Sequence, residues 1–209
     1  MESDSRQRFT RAPLRRGRTP LGVSILALTG LILVACGQAQ RSAGSASGEF
    51  DFKGPTPPGE VIPIDQRSVA PEFSGELLDG SAFDSTSLAG DIVVLNFWGS
   101  WCAPCRIETP EFQLVYEEVG AEGVQFLGVD VKDERQLAIA FYADKGVEYP
   151  SMFDPRGEVA LAFRGFPANA VPSTILIDRE GRVAAVYTAA VPAEDLRSGL
   201  SALLDEKVS

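Results

Sequence analysis

The sequence predicts an α/β domain, a mixed central sheet with helices on both faces. Three observations predict it. The apolar, β-branched runs "DIVVLNFW" (91–98) and "GVQFLGVDV" (123–131) read as buried strands. Each is followed by a helical pattern, and strand–helix–strand alternation argues for parallel pairing. "STILIDREGRVAAVY" (173–187) reads as two strands joined at Glu180-Gly181 ahead of a closing helix, which makes the sheet mixed.

The elements follow in order. "PEFSGELLDGSAF" (71–83) places Asp79-Gly80 between two short extended runs, a hairpin signal. After the 91–98 strand, Phe112, Val115 and Val119 mark a helix, and Pro110 inside it predicts a kink. After the 123–131 strand, Leu137, Ala140 and Phe141 mark a second helix. A shorter one is expected near 157–164. Leu196, Leu200, Leu203 and Leu204 share one face of the last. No internal repeat and no second folded domain is evident.

The region before this domain differs in kind. Residues 1–20 hold Arg6, Arg8, Arg11, Arg15, Arg16 and Arg18 against Glu2 and Asp4, and residues 21–34 carry no charge. A basic stretch before an apolar run of this length reads as a signal peptide; a spanning helix needs about 20 residues. "LVAC" (33–36) closes the run and resembles the bacterial lipobox, which implies lipid on Cys36 and cleavage before it. The residues around Arg15-Arg16 do not fit a twin-arginine signal. The expected organisation is a signal peptide at 1–36, a flexible Gly/Ser/Pro-rich linker at 37–67 and a folded domain at 68–209.

Charge and composition exclude several functions. The 209-residue chain has a net charge of −10. Residues 1–36 contribute six arginines and two acids, +4, so the remainder carries −14. Such a body repels nucleic acid. With no histidine, imidazole-based catalysis and most imidazole metal sites are excluded.

The chain has three cysteines, and two form the stretch "WCAPC". Cys102 and Cys105 stand after a buried strand and at the start of a helix. A thiolate there meets unpaired N–H groups and the positive end of the helix dipole, which lowers its pKa. Cys102 is expected to be the exposed nucleophile. Cys105, about one turn on, can resolve a mixed disulfide. Pro104 suits the first helical turn. Zinc would want four ligands, and only one pair exists. A structural disulfide closing so short a loop would stabilise little.

The segment "VVLNFWGSWCAPCRIETPEF" resembles the active-site segment of the thioredoxin superfamily, in particular the membrane-tethered TlpA/ResA-like thiol–disulfide oxidoreductases. The resemblance spans about residues 68–205 and includes "VPSTILIDREGRV". It implies a thioredoxin-like three-layer α/β/α sandwich with an N-terminal β-hairpin extension. It also implies a cis Pro172 facing the disulfide, and an apolar collar of Trp101, Ala103, Pro104, Val171 and Pro172 for substrate segments. Trp98 reads as core. Asn96 stands where many cytoplasmic thioredoxins have a buried Asp, so the usual proton acceptor is absent. Asp133 is a candidate acid/base. Arg106 and Glu108 read as helix-surface residues.

The function so implied is an exported, lipid-anchored reductant of protein disulfides, apocytochrome c among them, acting as a monomer. The Cys102–Cys105 pair would serve in place of a bound cofactor or metal, and a membrane protein would supply electrons. Three rivals are weighed. A disulfide-forming oxidant often carries His inside the CxxC, whereas Ala103-Pro104 stands here. A peroxidase on the same fold looks for Thr three residues before the reactive Cys, where Gly99 stands. A copper-binding module usually pairs its cysteines with His.

Overall fold

Burial along two central strands sets the layers. In a computed structural model, residues 48–206 are described. The expected signal peptide, Cys36 and the first part of the expected linker lie outside the described residues.

The strands are β1 (Ser74–Glu76), β2 (Ala82–Asp84), β3 (Ile92–Trp98), β4 (Val124–Val131), β5 (Ser151–Asp154), β6 (Ser173–Ile177) and β7 (Val183–Tyr187). The helices are α1 (Cys105–Val119), α2 (Arg135–Lys145), α3 (Glu158–Ala162) and α4 (Ala193–Leu204). The main sheet has the order β5-β4-β3-β6-β7. β4 runs parallel to both β3 and β5, while β6 is antiparallel to β3 and β7. This is the mixed sheet that the sequence predicts.

Alternate residues supply the two cores. Ile92, Val94, Trp98, Val124 and Phe126 belong to one core with Phe112 and Val115 of α1, Phe141 and Tyr142 of α2, and Leu196, Leu200 and Leu203 of α4. Val93, Leu95, Phe97, Leu127 and Val129 belong to the other with Val159 and Ala160 of α3 and with Phe50, Phe163 and Phe166. All seven residues of β3 are buried. At Gly128 the first core leaves no room for a side chain: a Cβ would lie 2.3 Å from Tyr142 Oη and 2.9 Å from Trp98 Nε1.

Three details differ from the sequence reading. β5 was not expected. Its four residues are too few to show a period and stand between Pro150 and a turn, so pairing with β4 places it, not pattern. The buried face of α2 is Ala138, Phe141 and Tyr142, with Leu137 and Ala140 turned to solvent. Finally, residues 48–67 are not a free linker. Thr56 and Ile62 donate to the carbonyls of Val186 and Ala184, and Phe50 is buried. The segment covers the open edge of β7, which the Gly/Pro composition concealed. The hairpin β1–β2 attaches at β5 through Leu78 N–H to Ser151 O at 2.8 Å.

Arg67 fastens this N-terminal segment. It is buried, donates to Ile62 O at 2.8 Å and to Asp178 at 3.0 Å, and forms two bonds to Glu206 at 2.6 and 2.7 Å. Removing one partner of such a pair strands the other charge. Arg67→Ala should lower stability by about 3 kcal/mol in urea unfolding. Arg67→Lys should recover little of it, because an ammonium cannot reproduce the planar fork. A loss below about 1 kcal/mol would show that the cluster is not a clamp.

Candidate active site

The site forms where β3 hands the chain to α1. After Trp98, residues 99–104 turn, with Cys102 N–H donating to Gly99 O at 3.0 Å, and Pro104 caps the helix start with φ −66°. Cys102 and Cys105 form a disulfide with their Cα atoms 5.3 Å apart. The Cys105 amide donates to Cys102 Sγ at 3.2 Å. Any charge that develops on that sulfur therefore meets a backbone N–H at the positive end of α1.

Cys102 is 3 % exposed and Cys105 0 %. The expected exposed nucleophile is thus largely covered in the oxidised state, where both cysteines belong to the first core. Of the two residues, Cys102 keeps the small exposure that remains.

Trp101 is 52 % exposed and donates from Nε1 to Val131 O at 3.1 Å. Gly99 permits this pose: a Cβ there would lie 2.5 Å from that Nε1. The Thr that a peroxidase places here would displace the indole. Ala103 and Pro104 are exposed, Val171 is half-buried and Pro172 is buried. The Val171–Pro172 peptide is cis. Pro172 leads into β6, whose first residue pairs with Phe97, so it lies beside the end of β3 that carries the cysteine turn. Trp98 lies in the core, donating to Ser151 Oγ at 3.0 Å and stacked on Phe141 and Tyr142.

The reading of Glu108 as a surface residue is corrected. Glu108 is 3 % exposed, one turn beyond Cys105. It accepts from Asn96 Nδ2 at 3.1 Å and from the Val191 amide at 2.8 Å. Burial pushes its carboxyl up to about 7, against the lowering effect of those two hydrogen bonds. A signal for it existed in the sequence: 105, 108, 112 and 115 fall on one helical face, so Glu108 shares the buried stripe of α1. Asn96 also donates to Thr174 Oγ1 at 3.1 Å, and it holds Glu108 in place of an Asp of its own.

Asp133, the candidate acid/base, stands against the cysteine turn. Its oxygens accept from the Ser100 amide at 2.6 Å and the Glu134 amide at 2.8 Å, so it fastens the turn before Cys102. Arg106 is exposed, as expected, with its guanidinium 5.5 Å from the Phe141 ring centre.

Residues 67–186 match the AhpC/TSA family. Among curated proteins, the thiol-disulfide oxidoreductase ResA of Geobacillus thermodenitrificans is 34% identical over 137 residues, 65% of this chain and 76% of that protein. ResA of Bacillus subtilis is 34% identical over 60% of this chain and 68% of that protein. Among solved structures, a DsbF homologue from Corynebacterium diphtheriae superposes with a TM-score of 0.69 at 37% identity, covering 75% of this chain and 100% of that one. A secreted thiol-disulfide isomerase from Corynebacterium glutamicum gives 0.70 at 34% identity, covering 77% and 100%.

The raised Glu108 pKa links folding to pH. The folded state holds this proton more tightly than the unfolded chain does. The stability it contributes is complete below about 4.5 and is lost as pH rises through about 7. The loss should approach about 3 kcal/mol. Urea unfolding of Glu108→Gln between pH 4 and 8 should show a correspondingly shallower fall. An unchanged slope would mean that another group carries it.

Proposed function

The chain belongs to the AhpC/TSA family, and on that premise we propose that it works outside the cytoplasm as a lipid-anchored reductant of disulfides in exported proteins. It has the thioredoxin-like fold and is a thiol–disulfide oxidoreductase. The observation that carries the proposed chemistry is the Cys102–Cys105 disulfide at the start of α1, with an amide on one sulfur and the Glu108 carboxyl one turn away.

In the reduced enzyme the Cys102 thiolate attacks one sulfur of a substrate disulfide. A mixed disulfide forms and the other substrate sulfur leaves as thiolate, taking a proton. Cys105 then attacks Cys102 Sγ and releases the second substrate thiol. Two electrons pass to the substrate, and the enzyme is left with the Cys102–Cys105 disulfide. The Cys105 thiol must lose its proton for the second step, and Glu108, with a carboxyl held near 7, is the group suited to take it.

Trp101, Ala103, Pro104 and Val171 form the apolar surface on which an extended substrate segment lies, with Pro172 at its edge. The inner Ala103-Pro104 pair offers no imidazolium to stabilise the thiolate further, which favours a reducing pair over an oxidising one. A membrane protein with its own dithiol restores the reduced state, and no bound cofactor is required. Apocytochrome c, whose paired thiols must be free before haem attachment, is a fitting substrate. The chain acts as a monomer, anchored through lipid on Cys36.

Two experiments test this reading. Cys105→Ser should trap mixed disulfides with exported proteins, seen as reductant-sensitive adducts on gels, while Cys102→Ser should trap none. Adducts through Cys105 alone would reverse the assignment. Cys36→Ser should move the protein from the membrane fraction to the soluble one; retention there would mean that lipid on Cys36 is not the anchor.

A further inference from the structure

One buried carboxyl that the exchange chemistry does not use also accepts no hydrogen bond among the described residues. Asp130 is 0 % exposed, near the end of β4, in register with Trp98 of β3 and Phe153 of β5. Alternation along β4 puts it on the face of Phe126 and Gly128, the side of α1 and α2. Among the described residues, no N–H or O–H donates to either of its oxygens. A carboxylate so placed would be buried without compensation.

Its close neighbour is the carboxyl of Asp133, within hydrogen-bonding reach. Both oxygens of Asp133 already accept backbone amides, one of them that of Ser100. Lys132, between the two acids, has φ 54°, a left-handed conformation that a non-glycine residue rarely adopts. That turn brings Asp133 back under Ser100. With Val131 O holding Trp101 Nε1, the stretch 131–133 grips the two residues immediately before Cys102.

We propose that Asp130 is a positioning residue for the exchange reaction: it carries a proton, donates it to the Asp133 carboxylate, and so keeps Asp133 on the Ser100 amide and the Cys102 turn in place. This rests on the thiol–disulfide reading above. The proton belongs to Asp130, because Asp133 has two amide donors for its charge and Asp130 has none. A carboxylic acid donating to a carboxylate satisfies both groups with one proton.

The surroundings agree. Burial is the foremost influence on Asp130 and raises its pKa to about 8; Asp133 and Asp154 of β5 push the same way, and Arg135 at the start of α2 opposes them. Tyr142 of α2 faces the region as a neutral phenol, and Trp98 of β3 as a neutral indole. Arg106 of α1 approaches Ser100 O at 3.5 Å. When Asp130 ionises, two negative carboxylates face each other and the grip on Ser100 loosens. The nucleophile's turn is therefore pH-sensitive through a group that never touches substrate.

The test follows the Ser100 amide nitrogen and the Asp130 carboxyl carbon by NMR from pH 6 to 9.5. It uses the full-length protein in detergent, oxidised so that the active-site thiols do not titrate. Both resonances should move together with a midpoint near 8. In Asp130→Asn, whose amide donates as the protonated acid does, Ser100 should hold its low-pH position throughout. In the reduced state, the ratio of Asp130→Asn to wild-type exchange rate with a disulfide peptide should rise at least threefold between pH 6.5 and 9. A Ser100 resonance that does not titrate, or that titrates equally in Asp130→Asn, would overturn the proposal. If Asp130→Asn does not fold, the wild-type titrations alone decide. Absence of exchange by the wild type at pH 6.5 would overturn the oxidoreductase reading and leave the titration standing, so the two failures are separable.

Discussion

The site depends on one junction. β3 is buried along its whole length and must pass the chain to α1 through residues 99–104. That passage puts Cys102 just before a helix whose first free amides point at it, and Cys105 at the helix start. A sulfur at this place needs no imidazole to hold a negative charge, because the backbone supplies the positive field. The lack of histidine is therefore no obstacle to thiol chemistry. The same junction explains Gly99 and Trp101: only a residue without Cβ lets the indole fold back onto Val131 O beside Cys102.

Around the junction lie two buried carboxyls that differ in partners. Glu108 receives two hydrogen bonds, from an Asn96 side chain and a backbone amide, and is held near neutrality, where it can take or give a proton. Asp130 receives none and leans on Asp133. Burial keeps both of them neutral above the ordinary carboxylate range, and the local donors decide how far up each is pushed. One acid stands behind the buried thiol on α1. The other stands behind the turn that carries Cys102.

Much of this was legible in the sequence, and the limits have physical causes. β3, β4, the β6–β7 pair and the cysteine turn were legible because continuous apolar runs and a CxxC after a strand are strong local signals. β5 was not, since four residues carry no period. The segment 48–67 was not, since Gly and Pro look alike whether they lie free or along a strand edge; burial of Phe50 and the ion pairs of Arg67 arise only from tertiary contact. Glu108 was missed for another reason. Charge suggested solvent, although its spacing from Cys105, Phe112 and Val115 placed it inside. Asp133 was singled out, but its role as a grip on Ser100 needs the left-handed turn at Lys132, which no residue type signals.

The central claim is that the Cys102–Cys105 pair gives electrons to substrates. Its midpoint potential at pH 7, titrated in the full chain against a dithiol buffer, tests that most directly. The account predicts a two-electron couple near about −270 mV, the range of thioredoxin-like reductants. A value near about −120 mV, that of strong disulfide-forming oxidants, would contradict it.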